Sequence, residues 1–370
     1  MDQQQRGLTS TYDESRSRFL TAAREAGAVV ATYEHPEQGR AAEPLAVDVA
    51  AIGPADAAAV LIVVSGTHGV EGFTGSALQH HWLADHRDLR PEGVRVVLIH
   101  ALNPFGFSWV RRVNEDNVDL NRNFIDWSEP PPANEDYGGL AHLLVPDSWD
   151  DDVQQSTTLQ LLGHAEEVGF DRLQEVVSGG QYTHPTGVFY GGVGPVWSHR
   201  WLTAHLAELV GSASRVCILD LHTGLGPWGH GELISHEGRD DAGYQRGTAW
   251  WGDVRSMRDG ESVSAALSGD WLAGVEQLLV DVESTSIALE FGTVDVITVL
   301  QALRADAVLH ATLDPLSPTA DTVRAQVRAA FADDDPAWFD AVAARFDEVV
   351  SAALENLASQ ERGPLDRHTP

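Results

Sequence analysis

Two spacings of apolar residues alternate along the chain and set out its elements. Residues 11–26 start with Thr11 as a helix N-cap and continue at helical spacing, whereas 28–33, 45–52, 58–64 and 94–101 are short apolar or alternating runs of strand type. Helical spacing returns over 75–86, between the last two of these strands. The order strand, helix, strand from Val60 to Ala101 is a βαβ unit, which implies parallel pairing and helices on the sheet faces. The rhythm breaks over 126–152, where Pro130, Pro131 and Pro132 stand among acidic residues and predict a long surface excursion, a lid or a rim. Helical stretches at 157–177 and 198–209 follow, then strands at 215–221, 232–236 and 286–291. In the tail, 336–360, Trp338, Val342, Phe346 and Val349 share one helical stripe, and packing helices are expected over 318–360. Repeats and low-complexity linkers are absent. The reading is therefore one α/β domain over 1–370, a mixed, mostly parallel twisted sheet with helices on both faces, whose chemistry-bearing core spans 58–310.

Composition narrows the function classes. The 370 residues are 43% hydrophobic, enough for a sizeable core. The opening residues, among them Asp2, Arg6, Asp13 and Arg16, are polar and hold no hydrophobic segment, and no later run approaches transmembrane length. The one cysteine, Cys217, lies in an apolar run and reads as an inert core thiol, so a cytoplasmic chain without an internal disulfide is expected. The formal charge is -31, from 55 acidic residues against 24 basic ones, and every basic residue is arginine. Without lysine there is no P-loop lysine, Schiff base or pyridoxal phosphate anchor. Such acidity also repels nucleic acid and anionic membranes. A GC-rich genome and a salt-rich cytoplasm both produce this composition.

Chemistry concentrates where strands end. His68-Gly-Val-Glu71 sits on a glycine-rich turn directly after the apolar run 58–64, so an imidazole and a carboxylate three residues apart reach one small cation from the same loop. Three more segments offer charged or ligating side chains after apolar strands: Arg112 to Phe124, Leu219 to Gly224 around His222, and Ala288 to Thr293 around Glu290. A carboxylate such as Glu290 inside an apolar strand needs a partner or a task, because desolvating it alone is costly.

In these motifs the chain resembles the zinc carboxypeptidase superfamily, which includes succinylglutamate desuccinylase and aspartoacylase. The resemblance runs in consistent order from Val60 to Thr293: His68 and Glu71, then Asn121 and Arg122 in Asp-Leu-Asn-Arg-Asn-Phe, then His222, then Glu290. It implies one zinc ion held by His68, Glu71 and His222 with a coordination position left for water. It further implies Glu290 as general base, Arg112 polarising the scissile carbonyl with Arg111 as its competitor, and Asn121 with Arg122 binding a substrate carboxylate. Asp220, two residues before His222 on the same strand face, is a candidate to orient that imidazole.

Plainer roles stand beside these. Glu71 alone fits an early helix carboxylate, Glu290 a buried ion pair, Asn121 and Arg122 a loop cap, and Arg112 a solvated charge beside Glu115 and Asp116. Tyr190 and Tyr244 are candidates for a substrate-facing tyrosine, with core or rim packing as the default; His184 and His230 are ordinary loop histidines unless they line the pocket. The functional expectation is a zinc-dependent hydrolase acting on an amide bond adjacent to a free carboxylate. Its substrate is a small peptide, as for a carboxypeptidase, or an N-acyl amino acid, as for a desuccinylase-type deacylase. A non-catalytic module binding a carboxylated ligand is the rival from another class.

Overall fold

Eight strands follow one another in the computed structural model, which describes residues 7–86, 92–263 and 267–359. They are β1 (Val29–Gln38), β2 (Pro44–Ile52), β3 (Ala59–Val64), β4 (Val94–His100), β5 (Arg215–Trp228), β6 (Gly231–Ser235), β7 (Val254–Ser256) and β8 (Glu283–Gly292). They form one sheet in the order β1-β2-β4-β3-β5-β8-β6-β7. β4, β3, β5 and β8 are mutually parallel at its centre, and β1, β2 and β6 pair antiparallel at the flanks. The expected mixed α/β sheet is what the chain forms. Asp2, Arg6 and Gln360, which entered the sequence reading, lie outside the described residues.

The centre is parallel because β3 is apolar on both faces, and the structure covers both. Leu61 and Val63 join a cluster with Phe19, Trp82, Phe339 and Phe346, while Val60, Ile62 and Val64 pack on the other side with Trp201, Leu206 and Trp271. Helix Gly72–Asp85 makes the predicted crossover from β3 to β4, and helix Pro336–Ser359 supplies the tail stripe, with Trp338 and Val342 fully buried. Thr11 caps helix Tyr12–Glu25 by accepting the Glu14 N–H.

Three expectations need correction. Residues 126–136 are an exposed excursion, but helix Tyr137–Leu144 then docks by Tyr137, Leu140 and Leu144, the Tyr137 hydroxyl donating to Val188 O at 3.0 Å. The helical stretch expected over 157–177 is two helices, Asp151–Val168 and Phe170–Ser178, broken at Gly169, whose φ of 92° ends the first. β5 also runs seven residues past its predicted end at Leu221, to Trp228. Among the described residues no helix is long and apolar enough to cross a membrane.

Candidate active site

Parallel strands end at one edge of a sheet, so the loops after β3 and β4 and the far halves of β5 and β8 share one side of the molecule. After β3, Gly66 bends the chain at φ 68°, and a 3-10 turn, Gly69–Glu71, leads into helix Gly72–Asp85. Gly69 is needed for a different reason: a Cβ there would run into the backbone of Gly106. That close approach lets the loop after β4 dock on the turn, with Gly69 N–H donating to Arg112 O at 3.1 Å and Val70 N–H to Arg111 O at 2.8 Å. His222 lies on β5, directly across from Glu290 on β8.

His68, Glu71 and His222 converge, all three buried, with potential ligand atoms within 4.8 Å of one another. His68 Nδ1 lies 2.9 Å from Glu71 Oε1, His222 Nδ1 lies 2.8 Å from Glu71 Oε2, and the two Nδ1 atoms are 3.1 Å apart. The outer nitrogens fix the tautomers. His68 Nε2 faces Asp119 Oδ1 at 3.2 Å and His222 Nε2 faces Asp220 Oδ2 at 2.6 Å, so each Nε2 carries a hydrogen. In neutral rings both Nδ1 lone pairs then point at each other and at a carboxylate. Such a cluster needs a proton or a cation at its centre, and its donor set of two imidazoles and one carboxylate fits a zinc ion.

Electrostatics follow from that crowding. Burial alone would raise Glu71, but the charges and hydrogen bonds of His68 and His222 hold it below the ordinary carboxylate range. Burial opposes charge on His222, yet Asp220 and Glu71 raise its pKa well above that of a free imidazole. Burial, helped by the nearby Glu71, pushes the Glu290 carboxyl up to about 7 against the pull of His222, the Leu225 N–H and Arg112. The Leu225 N–H donates to Glu290 Oε1 at 2.9 Å.

The arginines separate clearly. Arg112 donates to Asp119 Oδ2 at 3.0 Å and to Glu71 Oε1 at 3.1 Å and faces the cavity. Arg111 points away, into a buried ion pair with Asp306 at 2.9 Å. Arg122 lines the cavity beside Asn121, but not as a free fork: its Nε donates to Ser178 O at 3.0 Å, its Nη2 donates to the same oxygen, and its Nη1 donates to Asn121 O at 2.8 Å. One N–H remains on each terminal nitrogen, so a carboxylate would be met end-on rather than along the Nε edge.

A cavity of about 170 Å³ gathers His68, Arg112, Asn121, Arg122, His222 and Glu290 on its wall, with Glu71 buried beneath. No tyrosine lines it among the described residues. Tyr190 is buried in the core, Tyr244 donates to Val254 O, and neither His184 nor exposed His230 reaches the cavity.

Sequence reasoning missed several participants. Asp119 holds both His68 and Arg112, and its place two residues before Asn121, between Val118 and Leu120, was a legible signal for a buried carboxylate with a task. Trp271 and Thr67 were missed too: the indole N–H and the hydroxyl, each at 2.6 Å, hold Asp220, the expected partner of His222. Phe189 gave no signal at all. Its ring lies 5.5 Å from the Arg112 guanidinium carbon and 5.4 Å from that of Arg122, and its backbone is left-handed, φ 54°.

Residues 8–345 match the family model described as "Protein of unknown function (DUF2817)". No curated protein matches the sequence. Among solved structures, the chain is similar to carboxypeptidase A from Helicoverpa armigera, with 14% identity over 88% of this chain and 75% of that one and a TM-score of 0.47. It is also similar to bovine thrombin-activatable fibrinolysis inhibitor, with 11% identity over 93% and 99% and a TM-score of 0.46. A third likeness is to an aspartoacylase family protein from Mesorhizobium loti, with 14% identity over 77% and 67% and a TM-score of 0.37. At these identities and TM-scores the likenesses transfer no residue role and no activity.

Proposed function

The chain belongs to the family described as a protein of unknown function (DUF2817), and we propose that it is a zinc-dependent hydrolase cleaving an amide bond adjacent to a free carboxylate, as a carboxypeptidase does. One observation carries the reading: two imidazole Nδ1 atoms and a carboxylate converge in a buried cluster, each outer ring nitrogen is fixed by an aspartate, and Glu290 stands on the adjacent strand. His68, Glu71 and His222 would hold the ion, which supplies Lewis acidity to water and to the scissile carbonyl when bound.

The remaining work falls to side chains of this chain. Glu290, raised by burial, takes a proton from the attacking water and returns it to the departing nitrogen, so that the hydroxyl ends on the carbonyl carbon and the hydrogen on the amine. Arg112, fixed by Asp119, presents positive charge to the carbonyl oxygen as it becomes negative. Arg122 and Asn121 receive the substrate carboxylate. Two of the plainer roles lose support. Arg112 is not a solvated surface charge, and Glu71 makes no helix-capping bond.

The test is metal analysis of the purified chain, followed by assay of short peptides and N-acyl amino acids with and without a chelator. Glu290→Gln is expected to keep one zinc and lose turnover at least a thousandfold. A protein that only binds a carboxylated ligand would keep its ligand affinity in that variant and show no turnover in the parent chain. Hydrolysis that survives full metal removal contradicts the proposal.

A further inference from the structure

Arg122 is almost fully buried, yet among the described residues no carboxylate pairs with it. Asp119 acts on it through space, but the Asp119 oxygens are taken by His68 and Arg112. The guanidinium is held instead by two neutral carbonyls, Ser178 O along its Nε edge and Asn121 O at Nη1. A carboxylate in either place would cancel the charge that a substrate carboxylate needs. Ser178 O acts differently, because it stands at the end of helix Phe170–Ser178. Carbonyls there lack partners within the helix, and the dipole presents only about half a negative charge. The helix end orients the fork and leaves most of its charge in place.

The aim of Arg122 therefore depends on where this helix stops. Gly180, at φ 102°, carries the chain out of the helix against the arginine, since a Cβ there would lie 2.7 Å from Arg122 Cδ. Two residues further on, the Tyr182 hydroxyl donates to Arg122 O at 2.6 Å. The helix end is itself tied down from outside the cavity. The side-chain amide of Asn134 donates to Val176 O at 2.9 Å and to Gly180 O at 2.8 Å, straddling Ser178 by two residues on either side. Both hydrogens of that amide are thereby committed. Asn134 belongs to the proline-rich excursion over 126–136 and lines no part of the cavity.

We propose that Asn134 is a positioning residue for substrate: through Val176 O and Gly180 O it fixes the end of the helix, and Ser178 O in turn aims the free N–H groups of Arg122 at the substrate carboxylate. The excursion thus serves the cavity without touching it. This rests on Arg122 receiving that carboxylate, as in the function proposed above, and identifies what holds it in place. Charge-assisted bonds weaken off line, and a displacement of about 1 Å at a binding group costs up to about a hundredfold. Asn134→Ala is therefore expected to weaken carboxylate recognition at least tenfold while leaving His68, Glu71 and His222 undisturbed.

Two measurements on the full zinc-loaded chain test this. The first is kcat and KM for benzyloxycarbonyl-glycyl-phenylalanine, where Asn134→Ala should raise KM at least tenfold and leave kcat within threefold. The second is calorimetric binding of 3-phenylpropionate and of its uncharged amide, where the variant should lose at least tenfold for the acid and less than threefold for the amide. Asp136→Asn, which cuts an exposed pairing of Asp136 with Arg172 on the same helix, should leave both measurements unchanged. In an Arg122→Met chain, adding Asn134→Ala should cost the acid less than threefold more, because no fork remains to aim. Acid binding that Asn134→Ala weakens, in a parent chain that hydrolyses nothing, supports the positioning role and refutes the hydrolase reading. Acid binding unchanged in Asn134→Ala, an equal loss for the amide, or an equal loss in the Arg122→Met background overturns the positioning role whatever the activity. A parent chain that binds neither acid nor peptide overturns both.

Discussion

Replacing Asp220 with asparagine isolates how much the charge behind His222 contributes to metal binding. Three donors meet the Asp220 carboxylate: the His222 Nε2–H and the Trp271 indole on Oδ2, and the Thr67 hydroxyl on Oδ1, each at 2.6 Å. An asparagine with its oxygen toward Trp271 and His222 keeps two of these bonds. Its amide NH2 then faces Thr67, whose hydroxyl rotates to accept. No hydrogen bond need be lost, so what disappears is the negative charge that makes His222 a stronger ligand. Losing such a partner costs roughly tenfold to a hundredfold in metal affinity, ~1.4 to ~2.8 kcal/mol. Trp271→Phe removes one donor, leaves the charge, and should cost less. Competition for zinc against a chromophoric chelator at fixed pH reads the affinity, and far-ultraviolet dichroism checks the fold. Zinc affinity within twofold of the parent in a folded Asp220→Asn protein would refute the reasoning.

Other expectations follow from the same geometry. Phe189→Gly relieves a left-handed backbone that costs about 1 to 2 kcal/mol for a residue with a Cβ, while removing the ring between the two cavity arginines; kcat/KM should fall with little loss in melting temperature, and Phe189→Tyr should restore it. Arg304 is fully buried and, among the described residues, pairs with no carboxylate, donating instead to Leu143 O at 2.7 Å, Leu144 O at 3.3 Å and Gln301 Oε1 at 2.7 Å. Arg304→Met strands the two carbonyls, at about 1 to 3 kcal/mol each, and should make 137–168 the first region cut in limited proteolysis. In the metal-free chain, Glu290 and His222 both bind protons more tightly folded than unfolded. Their stabilisation is full at low pH and is lost for Glu290 between about 4.5 and about 7, and for His222 as pH rises from 6.5 upward. Calorimetry should therefore show the metal-free melting temperature of Glu290→Gln rising relative to that of the parent between about 4.5 and about 7, a difference unaffected by the buried histidines His80, His100 and His310, which burial holds below their ordinary value in both proteins, and the gain on adding zinc growing with pH.

Much of this architecture was legible because its signals are local. The six apolar residues of β3 and the spacing of helix Gly72–Asp85 specify a βαβ unit without reference to the rest of the chain. The site residues were legible for the related reason that they stand at strand ends, and six of the predicted seven, His68, Arg112, Asn121, Arg122, His222 and Glu290, line one cavity, with Glu71 just beneath. What stayed hidden depends on tertiary direction. Arg111 and Arg112 are equivalent in sequence, and only the backbone bonds of the docked loop decide that Arg112 turns to Glu71 while Arg111 turns to Asp306. Arg122 carries a fork in any sequence, but whether Ser178 O occupies it depends on where a helix 56 residues later ends. The helix after the proline run was missed because Gly138 and Gly139 weaken its propensity while burial of Tyr137 and Leu144 decides its formation.

Zinc-edge anomalous diffraction from a crystal of the metal-loaded chain tests the central claim most directly. The account predicts a single peak in contact with His68 Nδ1, His222 Nδ1 and a Glu71 oxygen. A peak elsewhere, or none at stoichiometric loading, would contradict it.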